Sequence, residues 1–318
     1  MEKQQIRFVR MALVTLGAVL FLIWVGAMVR ATDAGMGCPD WPTCFGQWVP
    51  PTDVSQLPPN YKEIYADHGY ASNDFDPIKT WTEYVNRLTG TTIGLLIFIT
   101  LIFAFQVRKQ RPLAFKMTLA AFIAVGFNGW LGSIVVKTNL HPAVITTHML
   151  LSFAVIGTLV VALCDGARER LQVLKPPQNL RWLAILAVLT TIFQVALGAQ
   201  VREGVDAIAA VSEDFYSREG WVEQLGAILN WHRLFAVLVV LVNISLVWQL
   251  RRIPELTVLM RRISVLLLLV LLSIVALGTI MVVFSIPPLA QPLHLFLVVL
   301  LFSVQIITMY SLRSQDKW

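Results

Sequence analysis

Leu229-Asn230-Trp231-His232-Arg233-Leu234 opens an apolar run that continues without a charge to Leu250. Glu83-Tyr84-Val85-Asn86-Arg87-Leu88 opens an earlier run in the same way, and Asn86 stands 146 residues before His232. The offset of 146 recurs between Leu131-Gly132-Ser133-Ile134-Val135-Val136 and Leu277-Gly278-Thr279-Ile280-Met281-Val282. It recurs again between Thr147-His148-Met149-Leu150 and Leu293-His294-Leu295-Phe296. Leu-rich sequence produces one such match by accident, but not three at a single offset, so the chain is internally duplicated. Gly26-Ala27-Met28-Val29-Arg30 also matches Gly198-Ala199-Gln200-Val201-Arg202, at 172, because segment 31–82 is longer than 203–227.

Working outward, uncharged stretches cover 11–29, 88–107, 117–136, 142–164, 182–201, 234–250 and 263–311, the last divided by Pro287-Pro288. A bilayer core of about 30 Å takes roughly 20 helical residues, so these runs predict eight spans. Only 14% of the residues are charged, against about 25% in a soluble domain, too few to cover a water-facing surface. The expected fold is an all-α polytopic membrane protein made of two four-helix bundles, 1–166 and 167–318. Four spans per half is even, so both halves enter the membrane in the same direction, related by a pseudo-twofold axis along its normal.

Basic residues orient the chain. With the N-terminus cytoplasmic, the inner segments hold Lys3, Arg7, Arg10, Arg108, Lys109, Arg111, Lys116, Arg168, Arg170, Lys175 and Arg181. They also hold Arg251, Arg252, Arg261, Arg262, Arg313 and Lys317, making 17 of the 25 Lys and Arg. Of the 19 acids only Glu2, Asp165, Glu169, Glu255 and Asp316 fall inside. Both termini are therefore expected in the cytoplasm, and the net charge of +6 reflects this bias without implying nucleic acid. The first run, 19 residues at 11–29, exceeds a usual signal-peptide core and has an internal counterpart, so it is read as a retained span.

The five histidines are His68, His141, His148, His232 and His294. The last three take repeat-related places at outer helix ends, where an ionisable group at membrane depth is a functional candidate by default. His232 and His294 share a depth on alternate helices of one bundle, the arrangement that clamps a haem iron from both faces. In the first half His148 is kept, but Asn86 replaces the partner of His232. Glu83, three residues before Asn86 and on a shared helix face, has Leu229 as its counterpart. An open haem face beside a carboxylate suits chemistry, while a solvated acid favoured by the helix dipole is the bland alternative. Arg30, Arg87, Arg202 and Arg233 either snorkel to headgroups or pair with haem propionates. Cys38 and Cys44, in an outer loop rich in proline, are read as a disulfide, structural or redox-active. Cys164 is read as packing, and His68 and His141, lacking repeat partners, as ordinary polar residues. The polar positions cluster at the outer ends, which disfavours a transporter with a mid-membrane relay.

The stretches Val29-Arg30-Ala31-Thr32-Asp33-Ala34-Gly35-Met36-Gly37-Cys38-Pro39-Asp40-Trp41-Pro42 and Glu83-Tyr84-Val85-Asn86-Arg87-Leu88 together resemble the haem A synthase family. Thr146-Thr147-His148-Met149, Leu197-Gly198-Ala199-Gln200-Val201-Arg202-Glu203 and His232-Arg233 extend the resemblance over nearly the whole chain. It implies an oxidoreductase of the bacterial inner membrane that hydroxylates the C8 methyl of haem O twice. The gem-diol then loses water to give the formyl group of haem A, the pigment of cytochrome c oxidase. It implies a haem b on His232 and His294, a substrate haem in the first half, and Glu83 as the catalytic carboxylate. His148 matches one of two substrate-site histidines, and Asn86 departs from the commoner second histidine. Cys38 and Cys44 match a cysteine pair found in many members. Implied partners are a haem O synthase (protohaem farnesyltransferase) and an unidentified electron acceptor, with membrane lipid around the chain and a homo-oligomer left open. The competing class is a membrane dihaem b-type cytochrome that carries electrons, which the missing ligand at Asn86 fits poorly.

Overall fold

The computed structural model describes residues 3–171, 173, 176–212, 218–254 and 256–313. Lys175 and Lys317, counted above among the inner cations, lie outside them, as do the acids Glu2, Glu213, Asp214, Glu255 and Asp316. Among the described residues, eight helices are long and apolar enough to cross a membrane. They are α1 Lys3–Ala31, α2 Pro77–Gln106, α3 Pro112–Lys137, α4 Pro142–Gly166, α5 Gln178–Val211, α6 Gly226–Arg251, α7 Val258–Val283 and α8 Ala290–Ser311. With no strand formed among the described residues, the chain is an all-helical integral membrane protein, as composition required.

Local chemistry sets the helix ends. Asp76 caps α2, its carboxylate accepting from the amides of Ile78 (2.8 Å) and Lys79 (3.2 Å), and Thr257 caps α7 through the Met260 amide. Prolines 77, 112 and 142 open α2, α3 and α4, where a missing N–H costs nothing. Between α3 and α4, Asn139 and Leu140 both take positive φ, 51° and 59°; 146 residues later Ser285 and Ile286 do the same, 52° and 59°, between α7 and α8. In each turn the second residue's amide reaches back to a helix carbonyl, Leu140 to Val135 and Ile286 to Met281. The two dipeptides share no residue type, so the turn repeats where the letters do not.

Packing within each half closes a ring: α1 touches α2 and α4, and α3 lies against α2 and α4. In the second half α5 touches α6 and α8, and α7 lies against α6 and α8. Between halves, α8 packs on α1 and α4, with Phe153 and Phe302 ring to ring at 5.2 Å. Accordingly half of the most apolar window of α8 and 44% of that of α4 are buried, against 17% for α7, which turns to lipid.

Polar groups also meet away from the helix ends: in the first half the Thr15 and Thr100 hydroxyls lie 2.7 Å apart, and Asn128 donates to Ser152 at 2.9 Å. The Gln305 amide, fully buried, donates to Thr191 Oγ1 (2.9 Å) and Asn243 Oδ1 (2.8 Å), tying α8 to α5 and α6. The expectation that polar groups keep to the outer ends is therefore corrected in both halves. The corresponding first-half positions are the buried Val19, Ile97 and Leu159.

Above the first half, segment 32–76 folds on its own small core. Cys38 and Cys44 are bonded, and Phe45 meets Tyr65, Tyr70 and Phe75 edge to face at 5.1–5.6 Å. Phe45 has φ of 54°; Asp40 holds this turn by accepting from the Phe45 and Gly46 amides and the Thr43 hydroxyl. Burial pushes the Tyr70 phenol pKa up, keeping it a donor to the carbonyls of Met36 and Gly37. Above the second half, the overlong end of α5 packs Val205 with Trp221, Leu225, Leu229 and Ile286.

Gly37 is where the loop lies closest to α2: a Cβ there would sit 2.3 Å from the Lys79 carbonyl oxygen. Backbone on both sides leaves nothing flexible to give. Gly37→Ala is expected to lower stability by about 1–3 kcal/mol, read as a lowered thermal midpoint of the detergent-solubilised protein. An unchanged midpoint would mean that the loop does not rest on α2.

Candidate functional site

The three repeat-related histidines and Asn86 share one local construction. A Cβ added at Gly132 of α3 would lie 3.6 Å from His148 Cε1, and one at Gly278 of α7 would lie 3.6 Å from His294 Cε1. At Gly198 of α5 it would lie 3.3 Å from His232 Cε1, and at Gly26 of α1 3.8 Å from Asn86 Oδ1. Each side chain thus rests on a glycine of the preceding helix, which lets the helices approach closely. These four glycines sit inside the repeat motifs, but no pattern in the sequence marks them as seats for the rings.

The Gln194 amide donates to the His232 carbonyl at 3.0 Å and lies 3.2 and 3.3 Å from the two ring nitrogens. Nδ1 of His148, Nδ1 of His294 and Oδ1 of Asn86 are buried and hydrogen-bonded to nothing among the described residues. Buried polar atoms without partners are costly, and a bound metal macrocycle is one way to satisfy imidazole nitrogen. The donor chemistry therefore fits a haem: two imidazoles in the second half, and one imidazole with a poor ligand in the first.

Glu83 is 4% exposed, which removes the solvated-carboxylate alternative. Its Oε2 accepts from the Cys38 amide at 2.8 Å, and its Oε1 from Arg87 Nε at 3.0 Å and from Arg87 Nη2. Arg87 also donates to the carbonyls of Cys38 (2.9 Å), Asp40 (2.6 Å) and Thr43 (3.0 Å). Thr80 donates to the Gly37 carbonyl at 2.9 Å. Thr80, Glu83 and Arg87 form one stripe of α2, and the disulfide loop is bound along it. The buried carboxylate thus joins the helix that carries Asn86 to the loop that carries Cys38–Cys44.

Arg30 and Arg202 meet across the two halves. Asp206 accepts from Arg30 Nε at 2.9 Å and Nη2 at 2.5 Å, and from Arg202 Nη2 at 2.6 Å. Arg202 also donates to the Arg30 carbonyl (3.0 Å) and to Gln291. Asp206 was not singled out in the sequence; its spacing of four from Arg202 on a helix is the signal that would have found it. Arg233 is exposed. His141 sits exposed at the start of α4 and His68 in a short helical turn between α1 and α2, apart from the four glycine-backed positions. Cys164 is buried and unbonded.

Fold and site define an integral membrane protein of eight apolar helices with imidazoles seated near one end of both halves. The chain matches the COX15-CtaA family, described as cytochrome oxidase assembly protein, over residues 9–306, and it belongs to that family. It is 31% identical to a heme A synthase of Shewanella oneidensis over 63% of this chain and 58% of that protein. Against a heme A synthase of Rickettsia bellii the identity is 25% over 92% of this chain and 94% of the other. A heme A synthase of Exiguobacterium sp. is 29% identical over 75% and 71%.

Gly278→Val would press a branched side chain into the His294 ring, whereas Gly278→Ala makes an ordinary contact at 3.6 Å. Titrating the purified protein with haemin should give b-type absorption with the Ala variant and lose it with Val. Equal spectra would mean that the ring at 294 does not hold the iron.

Proposed function

We propose that this chain is a haem A synthase, an oxidoreductase that converts the C8 methyl of haem O to the formyl group of haem A by successive hydroxylations. Membership of the family over most of its length supports the reaction, and the names of the relatives support the substrate. The observation that carries the assignment of sites is the set of four glycine-backed positions, three histidines and one asparagine. We read the chain as two parallel-repeat bundles, 1–166 for the substrate haem and 167–318 for a haem b.

In this reading His232 and His294 hold the haem b, which when bound supplies an electron-transfer centre. Gln194, donating to the His232 carbonyl and lying beside its ring, fixes that imidazole as second-shell partners do. His148 takes one face of the substrate haem, while Asn86, a weak iron ligand, leaves the opposite face accessible. Glu83 is the carboxylate of the reaction, handling protons or stabilising positive character at the methyl carbon. Its burial and its pairing with Arg87 hold it in one place beside the Asn86 turn. Arg30, Arg87, Arg202 and Arg233 are the proposed propionate partners. Arg233 is exposed, and the other three already share the carboxylates of Asp206 and Glu83. The membrane is the bacterial inner membrane, with both termini cytoplasmic and the site at the outer face. A haem O synthase delivers the substrate, and an unidentified acceptor takes the electrons.

Glu83→Gln keeps an acceptor for the Cys38 amide while removing the negative charge. Co-expressed with a haem O synthase, it is expected to bind haem normally and accumulate no haem A; normal haem A yield would remove Glu83 from the mechanism. Glu83→Ala strands Arg87 in a buried site and should in addition cost about 3 kcal/mol of stability. His232→Ala and His294→Ala should each lose the low-spin b-type spectrum. If both keep it, the axial ligands lie elsewhere.

A further inference from the structure

At the end of α6 and α7 opposite the histidines, two cavities of about 370 Å³ each open on the lipid-facing surface and meet at one residue, Arg251. The first runs between the helices and is walled by Ile244, Val247, Trp248 and Leu268, with Arg252 at its mouth. The second runs along α7 over Val265, Leu266 and Leu269, with Arg261 and Arg262 at its mouth. Among the described residues Arg251, Arg252 and Arg262 form no ion pair. Arg252 stacks on the Trp248 ring at 3.4 Å, and Arg261 donates to the Leu256 carbonyl at 3.3 Å.

The repeat supplies an internal control. Counting back 146 residues, Arg251 and Arg261 correspond to Phe105 and Phe115. Those two rings, at the equivalent ends of α2 and α3, meet edge to face at 5.8 Å, and Arg108 stacks on the Phe105 ring at 3.7 Å. A general excess of cations on this face of the membrane would not distinguish the two seams. The first-half seam has an aromatic pair where the second has Arg251 and Arg261, while Arg262 keeps a cation, Lys116, as its counterpart.

We propose that the α6–α7 seam is a binding site for one two-tailed anionic phospholipid. Its phosphate sits at Arg251, flanked by Arg252 and Arg262, and one acyl chain lies in each groove. Arginine is suited to phosphate because its fork of donors matches the oxygens, and basic recesses between membrane helices favour anionic headgroups. Two apolar troughs diverging from a single arginine match a diacyl lipid better than a single-chain amphiphile or a free anion. The site is independent of the haem reading, since its assay follows lipid retention and not pigment.

The test is native mass spectrometry of the full chain in neutral detergent, offered equimolar dioleoyl phosphatidylglycerol and dioleoyl phosphatidylcholine. The expected result is one phosphatidylglycerol retained per chain with about tenfold preference over phosphatidylcholine. Single-chain lysophosphatidylglycerol should be retained less. R251Q/R262Q should abolish the preference, and so should R251F/R261F, which writes the first-half ring pair into the second half. Equal retention of the two lipids by the unaltered protein overturns the proposal without recourse to any variant. Preference surviving in R251Q/R262Q overturns it as well, and so does displacement of phosphatidylglycerol by inorganic phosphate at the same concentration.

Discussion

In hydrocarbon a helix satisfies its own backbone, but every polar side chain must still find a partner inside the protein or reach water. The polar interior of this protein follows from that constraint. The Gln305 amide, away from the helix ends, is held by Thr191 and Asn243, and Asp165 by the Tyr310 hydroxyl and the Ala114 amide, both at 2.9 Å. Glu83 is buried only because Arg87 and the Cys38 amide both face it. Some buried side-chain atoms find no partner among the described residues, Nδ1 of His148 and of His294 among them, with Arg111 Nε and Gln291 Nε2.

Close helix approach is the second requirement, and glycine supplies it. An imidazole fits between neighbouring helices only where the facing residue has no side chain, and the same device is used at all four positions. Positions matched by the sequence repeat thus share a glycine seat, and what sits in it differs between the halves. Asn86 replaces the histidine of position 232, and Glu83 replaces Leu229. Below the seats, Val19, Ile97 and Leu159 stand where the second half has Thr191, Asn243 and Gln305. One half retains two imidazoles over a polar tie between helices. The other has a single imidazole, a carboxylate and an aromatic loop bound directly to it.

That loop gives the carboxylate its setting. Gly37 allows backbone contact with Lys79, Tyr70 and Thr80 bind the same strand of loop from either side, and Arg87 gathers three loop carbonyls. Glu83 is consequently a part of the α2–loop junction as well as a neighbour of Asn86. Any chemistry at this carboxylate is mechanically coupled to the Cys38–Cys44 loop.

Eight spans, the duplication and the three histidines with Asn86 were legible in the letters, because hydrophobic length and a constant offset are properties of the chain itself. So was the disulfide, since an oxidising compartment permits one and the prolines between the two cysteines favour a compact turn. The positive-φ turns at 139–140 and 285–286 were hidden, because unlike dipeptides adopt the same conformation under the same helix packing. Asp206 between Arg30 and Arg202, Glu83 beneath Cys38, the glycine seats and the difference between the two inner seams were hidden for a related reason. Each depends on the distance between helices far apart in sequence, and that distance is set by how eight apolar surfaces pack together.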